Sequence, residues 1–222
     1  LILNILVIIY VLVCALRSIW PRLDGSGLCF YDNFISTPFF GRCCATVAEI
    51  SFGLFLVKIT KIIFRYINNF NGKTTLKILN SNLVYLVTIA QIFCWMGITS
   101  KNSNFNAVEE SLWTIFGLSK FIIYLIVLFN IDNLKPKKYV KSLKSILPYA
   151  LLFLLLYILF MVFRDVPMYL KRAKINKENN IKYNNFIDGI HTLTKCKKIT
   201  KSYKNWKEDI PWLSLYFTIS VW

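Results

Sequence analysis

Three ionisable residues sit inside apolar runs of this chain: Arg42 and Glu49 within FFGRCCATVAEISFG (Phe39–Gly53), and Lys120 within SLWTIFGLSKFIIYL (Ser111–Leu125). On a helix, Arg42, Thr46, Glu49 and Gly53 fall at spacings of four, three and four, which makes one narrow stripe. A charge near the bilayer centre costs at least ~2.5–3.5 kcal/mol on insertion scales, so that stripe must face other helices, a water-filled path or a partner. A carboxylate at such depth is the usual mark of a proton or cation path, and Lys120 is the cation best placed to compensate Glu49. The alternative is a protonated Glu49 bonded to Thr46 or a backbone carbonyl, with Lys120 stretching its stem toward the interface.

Other chemistry finds less support. His191 is the single histidine and lies in a Lys/Asn-rich segment near Asp188 and Thr192, without a nucleophile elbow or a glycine-rich phosphate loop anywhere in the chain. The six cysteines, Cys14, Cys29, Cys43, Cys44, Cys94 and Cys196, form neither a CxxC pair nor a Cys/His ligand spacing, so no metal or other cofactor is expected. Most of these thiols flank or enter apolar runs and read as small apolar fillers. Cys29 is the exception: it lies in a polar loop and can pair if that loop is extracytoplasmic.

The elements that must position these residues are helices in a membrane. The 222 residues are 56% hydrophobic and 16% aromatic with a mean hydropathy of +0.51, a profile of the membrane class. An all-α, polytopic helical bundle of five to six spans is expected, because ~20 apolar residues are needed to cross and the backbone must satisfy itself there. The spans fall at about 1–16, 39–64, 83–98, 112–129 and 146–163. Residues 17–38 read as a turn-rich loop, 99–110 as a short loop and 164–209 as a basic loop. In the last of the short connections Glu109 and Glu110 suit a helix start, where unpaired backbone donors favour negative charge. The end, WKEDIPWLSLYFTISVW (Trp206–Trp222), reads as a helix start at Pro211, and 210–222 as an interfacial helix or partial sixth span.

Charge gives an orientation and a conflict. The formal net charge is +16, and its basic residues flank apolar runs rather than forming an aromatic-interleaved face, which excludes nucleic acid as the favoured partner and points to anionic lipid along the basic loops. The second and fourth loops (65–82 and 130–145) carry five Lys or Arg each, counting Lys58 and Lys61, against three in the first, counting Arg42, and one in the third. The positive-inside rule therefore puts the second and fourth on the cytoplasmic side. Five spans then leave 164–209, with 12 bases, on the opposite side.

Several stretches resemble a family of uncharacterised multi-pass membrane proteins of bacterial and algal type. They are RSIWPRLDGSGLCFYD (Arg17–Asp32) with GRCCATVAEISF (Gly41–Phe52), VEESLW (Val108–Trp113), DVPMYLKR (Asp165–Arg172), and the final WKEDIPWLSLYFTISVW. The usage of 21 Lys to 6 Arg, with 18 Asn and 7 Ala, resembles instead that of an AT-rich, apicomplexan-type genome. The family resemblance implies no reaction. It implies a set at the span ends, Arg17, Arg22, Asp24, Asp32, Glu109, Trp113, Asp165, Tyr169, Glu208, Asp209 and Trp212, that fastens helices or holds a polar ligand alongside Arg42 and Glu49.

Without a catalytic constellation or a transport repeat, the expected role is non-catalytic: an accessory or regulatory subunit binding another integral membrane protein, with an ion pump of the P-type ATPase kind as the partner suggested by analogy. The plasma membrane is favoured over the mitochondrial inner membrane. A small ion or proton transporter using Glu49 and Lys120, and a lipid-modifying enzyme using Arg17, Asp32, Glu109 and Asp165, are the alternatives.

Overall fold

The fold was analysed in a computed structural model, which describes residues 1–67, 72–133 and 138–214. Helix α1 spans Ile2–Ile19, α2 Pro38–Tyr66, α3 Lys73–Ser100, α4 Ser103–Phe129 and α5 Lys138–Phe160. A five-residue π-turn, Met161–Asp165, joins α5 directly to α6 (Val166–Glu178). Short elements follow: α7 (Phe186–Leu193), α8 (Tyr203–Trp206) and α9 (Ile210–Ser214). Four helical stretches are long and apolar enough to cross a membrane: Ile2–Ile19, Lys73–Ser100, Ser103–Phe129 and Val140–Glu178. The all-α, membrane-type architecture follows from these.

Each of α1 to α5 runs past its apolar segment at one end or both, because polar residues there are helical too. Helix α2 is started by Thr37, whose hydroxyl accepts from Phe40 N at 3.4 Å, with Pro38 next in the first turn, where its missing N–H costs nothing. Helices α3 and α4 are joined by two residues only, Lys101 and Asn102. Lys101 takes a left-handed conformation (φ 61°), and the Asn102 side chain accepts from Asn104 N at 3.1 Å to start α4. The loop expected over 99–110 is thus mostly helix. Glu109 and Glu110 are not at a helix start but two turns inside α4, and both are buried.

The helices pack in chain order, α1 on α2, α2 on α3, α3 on α4, and α4 on both α5 and α6. Their shared core gathers Val57, Phe64, Leu83, Val87, Phe116, Ile123, Val127 and Met161. Outward faces remain apolar, as at Val47, Tyr85, Ile92, Ile122 and Leu156, which is what hydrocarbon requires of a bundle with no aqueous exterior at that depth.

One end of the bundle carries a cap. Strands β1 (Arg22–Leu23) and β2 (Leu28–Cys29) pair antiparallel around the Asp24–Gly27 turn, and β3 (Lys198–Ile199) adds parallel to β2. A disulfide between Cys29 and Cys196, 167 residues apart in sequence with Cα atoms 5.8 Å apart, locks the two segments together. Leu23, Leu28 and Trp206 form a small apolar cluster beneath, and Trp206 Nε1 donates to Thr200 O at 3.0 Å. Segment 164–209 is therefore no simple basic loop. It is α6, α7, β3 and α8, and it lies on the same end as the 17–38 loop. Residues 215–222 of the expected interfacial segment, and the side chain of Trp212, lie outside the described residues.

Candidate functional site

The charged stripe of α2 faces α3. Arg42 Nη2 donates to Glu49 Oε1 and to Gln91 Oε1, both at 2.8 Å, and Gln91 Nε2 donates to Glu49 Oε2 at 2.6 Å. The arrangement is a closed ring of three side chains, with both carboxylate oxygens of Glu49 bonded. One turn toward the cap, Trp95 Nε1 donates to Thr46 Oγ1 at 3.0 Å. Gly53, the last member of the stripe, lies against Val87. A guanidinium and a carboxylate so arranged satisfy each other inside the bundle without exposing either to lipid.

The expected pairing of Glu49 with Lys120 is not what forms. Lys120 is fully buried on the opposite half of α4, where Nζ donates to Leu56 O at 2.9 Å, Thr60 Oγ1 at 3.0 Å and Asn80 Oδ1 at 2.6 Å. Three neutral oxygens match the three ammonium donors, and the Phe116 and Tyr124 rings lie 5.8 and 5.9 Å away. Asn80 Nδ2 in turn donates to Val57 O at 3.1 Å. Arg42 serves Glu49 because the two are seven residues apart on one helix, which puts them on one face two turns apart.

Between the ring and the cap lies a cavity of about 360 Å³, within the range of small-molecule sites. Of the sequence-derived residues, Arg17, Asp24, Arg42, Glu49, Glu109, Trp113, Tyr169 and Asp209 line it. Glu110, Cys94, Asn106, Lys101, Arg172 and Lys197 also line it. The inner part is acidic: Glu109 and Glu110 of α4 stand beside the ring, and Asn106 Nδ2 donates to Glu109 Oε2 at 3.4 Å. Arg42 Nε has no hydrogen-bond partner among the described residues.

The mouth is held by ion pairs from separate elements. Arg17, at the end of α1, meets Asp24 Oδ2 at 3.4 Å, and Arg172 of α6 meets both oxygens of Asp209 at 3.1 Å. Arg22 lies behind the lining, its Nη1 donating to Ile35 O at 3.1 Å and its Nε 3.5 Å from Asp24 Oδ1. Burial pushes its guanidinium down to about 10, partly offset by Asp24, so it remains a cation at neutral pH.

Besides Arg22, four described members of the expected set stand apart from the cavity lining. Asp32 is exposed on the cap, Glu208 is an outer neighbour of Arg172 at 3.6 Å, and Lys120 belongs to its own cage. Asp165 is buried at the π-turn, with Oδ2 lacking a hydrogen-bond partner among the described residues. The cluster imagined for a lipid-modifying enzyme, Arg17, Asp32, Glu109 and Asp165, is therefore not one site. His191 is exposed on α7. Among the described residues no group of three or more His, Cys, Asp or Glu side chains is placed to hold a metal ion.

Gln91, Cys94 and Asn106 were not singled out by sequence. Their signal was present at Gln91, a lone amide in LVYLVTIAQIFCWMGI (Leu83–Ile98), whose polar group must find a partner in hydrocarbon. No protein-family model, curated protein or solved structure matches the chain.

Proposed function

We propose that the chain is a multi-pass membrane protein that binds a small polar molecule, or the polar end of an amphiphile, in the cavity between the Arg42–Glu49–Gln91 ring and the disulfide-tied cap. The observation that carries this reading is the cavity itself. Buried polar groups used only to fasten helices are expected to saturate one another and leave no space between them, as the three neutral oxygens around Lys120 do. Here a lined space of about 360 Å³ is kept among them, and Arg42 Nε is left without a partner among the described residues.

In this reading α2 is a fifth crossing. Its 29 residues are long enough, and its inner charges face α3 rather than lipid. Five crossings bring the 17–38 loop, the α3–α4 link and the α6–α9 segment to one side, the arrangement that the cap requires. A disulfide favours an oxidising compartment for that side, leaving the short basic connections after α2 and after α4 in the cytoplasm. The 12 bases of 164–209 then sit outside, as cap and surface residues of a folded segment, a placement that runs against the positive-inside rule.

The accessory-subunit reading, with an ion pump as partner, would need a face reserved for another protein, and the candidates are the outward apolar faces. Those faces are equally what lipid covers, so they select no protein partner. A proton path through Glu49 and Lys120 would need the two to communicate, and each is saturated by separate neighbours.

The test is purification in mild detergent followed by native mass spectrometry. Wild-type protein is expected to retain a small molecule at about one per chain, and Arg42→Gln, folded by size-exclusion criteria, to lose it. A wild-type protein that carries nothing, and yields nothing on organic extraction, overturns the reading.

A further inference from the structure

The distribution of charge around the cavity has a direction. Deep in it, Glu49 is fully engaged by Arg42 and Gln91, whereas Glu109 and Glu110 have no cation paired to them by contact among the described residues. Glu110 is only 5% exposed, lines the cavity, and its carboxylate makes no hydrogen bond or ion pair among the described residues. It sits seven residues into α4 from Ser103, roughly 10 Å below the mouth by helical rise. Trp113 and Tyr169 line the same inner space. At the mouth the signs reverse. Arg17 is matched by Asp24 and Arg172 by Asp209, which leaves Lys101 and Lys197 without an ion-pair partner among the described residues.

An acidic, aromatic-lined interior suits an ammonium group, which gains from carboxylates and from ring faces together. Among the described residues no group of three or more His, Cys, Asp or Glu side chains is placed to hold a metal ion, and the Trp113 and Tyr169 rings favour an organic ammonium. Two unpaired lysines at the entrance suit an oxyanion on the same ligand. Resting on the binding role proposed above, we infer that the ligand is a zwitterion: an amine directed to Glu109 and Glu110, with a phosphate-type oxyanion held by Lys101 and Lys197. A free aminoalkyl phosphate and the head group of an aminophospholipid share this chemistry.

Calorimetric titration of the detergent-solubilised full chain with O-phosphoethanolamine, its N-acetyl derivative and glycerol 3-phosphate tests the inference. Titration with nanodisc-borne phosphatidylethanolamine against phosphatidylglycerol separates the lipid source from the soluble one. The expected result is at least tenfold tighter binding of the amine-bearing member of one of these sets. Glu110→Gln, and separately Glu109→Gln, abolishes that preference, and Lys101→Gln with Lys197→Gln weakens all the phosphates. Equal binding of the amine and its acetylated form, lost together in Arg42→Gln, overturns the zwitterion while leaving the cavity as a binding site. Absence of binding by every probe overturns the inference as well, and the mass-spectrometric result then decides the binding role separately.

Discussion

The guanidinium of Arg22 occupies the space that a side chain at position 41 would fill: a Cβ built on Gly41 stands 1.6 Å from Arg22 Nε and 2.0 Å from Cζ. Only glycine in the first turn of α2 lets β1 lie this close. The same contact brings Arg22 to Ile35 O and to Asp24, and so sets the turn that walls the cavity. Gly41→Ala is expected to expel the guanidinium and cost about 3 kcal/mol, the scale of breaking a buried charged contact. Thermal unfolding in detergent, with Arg22→Ala and the double variant, checks it. The double variant should be clearly less destabilised than the sum of the two, and strict additivity would sink the contact.

The ring at Glu49 makes a prediction about single against paired changes. Glu49→Leu leaves Arg42 buried with only Gln91, and Arg42→Leu leaves Glu49 likewise; each is expected to cost about 3–5 kcal/mol. Leucine at both positions, with Gln91→Leu, removes the orphaned groups and is expected to restore assembly while removing ligand retention. Folded yield by size exclusion, read beside native mass spectra, separates the two effects.

Lys120 is held by neutral oxygens, so its loss acts differently. Lys120→Met leaves Asn80 Oδ1 and the Thr60 hydroxyl without their charged donor and is expected to lower stability by about 1–3 kcal/mol. Ligand binding should persist, because the cage does not touch the cavity. A loss of binding at unchanged stability would restore the link between Lys120 and Glu49.

Gly97 offers a variant that touches the site more than the fold. A Cβ there would come within 2.6 Å of the Asn106 amide, a side chain that must turn about its own Cα–Cβ bond to make room. Gly97→Ala is expected to shift the melting midpoint little and to detach Asn106 from Glu109. Binding should weaken severalfold; unchanged binding would show that Asn106 contributes nothing there.

The cap predicts a thiol count. Without reductant, denatured protein should take up four maleimide labels, at Cys14, Cys43, Cys44 and Cys94, and after reduction six. Cys29→Ser is expected to cost about 2–4 kcal/mol, read as a lower melting midpoint. Six labels before reduction would contradict the bond.

Hydrophobic length made the helices legible in the sequence, and the cost of burying charge made the α2 stripe legible, since Arg42, Thr46 and Glu49 all turn inward to α3. What the stripe would meet was not legible. A lone Gln91 carries less weight in hydropathy than Lys120, yet it sits beside Arg42 and Glu49 and Lys120 does not. Glu109 and Glu110 misled for a local reason: acids near the start of an apolar run imitate a helix N-terminus, and only the two-residue link at Lys101 and Asn102 shows that the helix begins earlier. Cys29 declared itself by its polar surroundings, but its partner lies 167 residues away, beyond anything that local pattern can specify.

That separation also sets an order of events during synthesis. At translation speeds of roughly 5–20 residues per second, Cys29 waits on the order of ten to thirty seconds for Cys196 to emerge. On the oxidising side proposed for the cap, the first thiol is open to mixed disulfides throughout that interval, and the entrance to the cavity is unfinished although most of its walls are already inserted. The covalent clasp is thus a late checkpoint. A chain whose final third stalls or misinserts would be left displaying a reactive Cys29, a mark that thiol-dependent quality control can read.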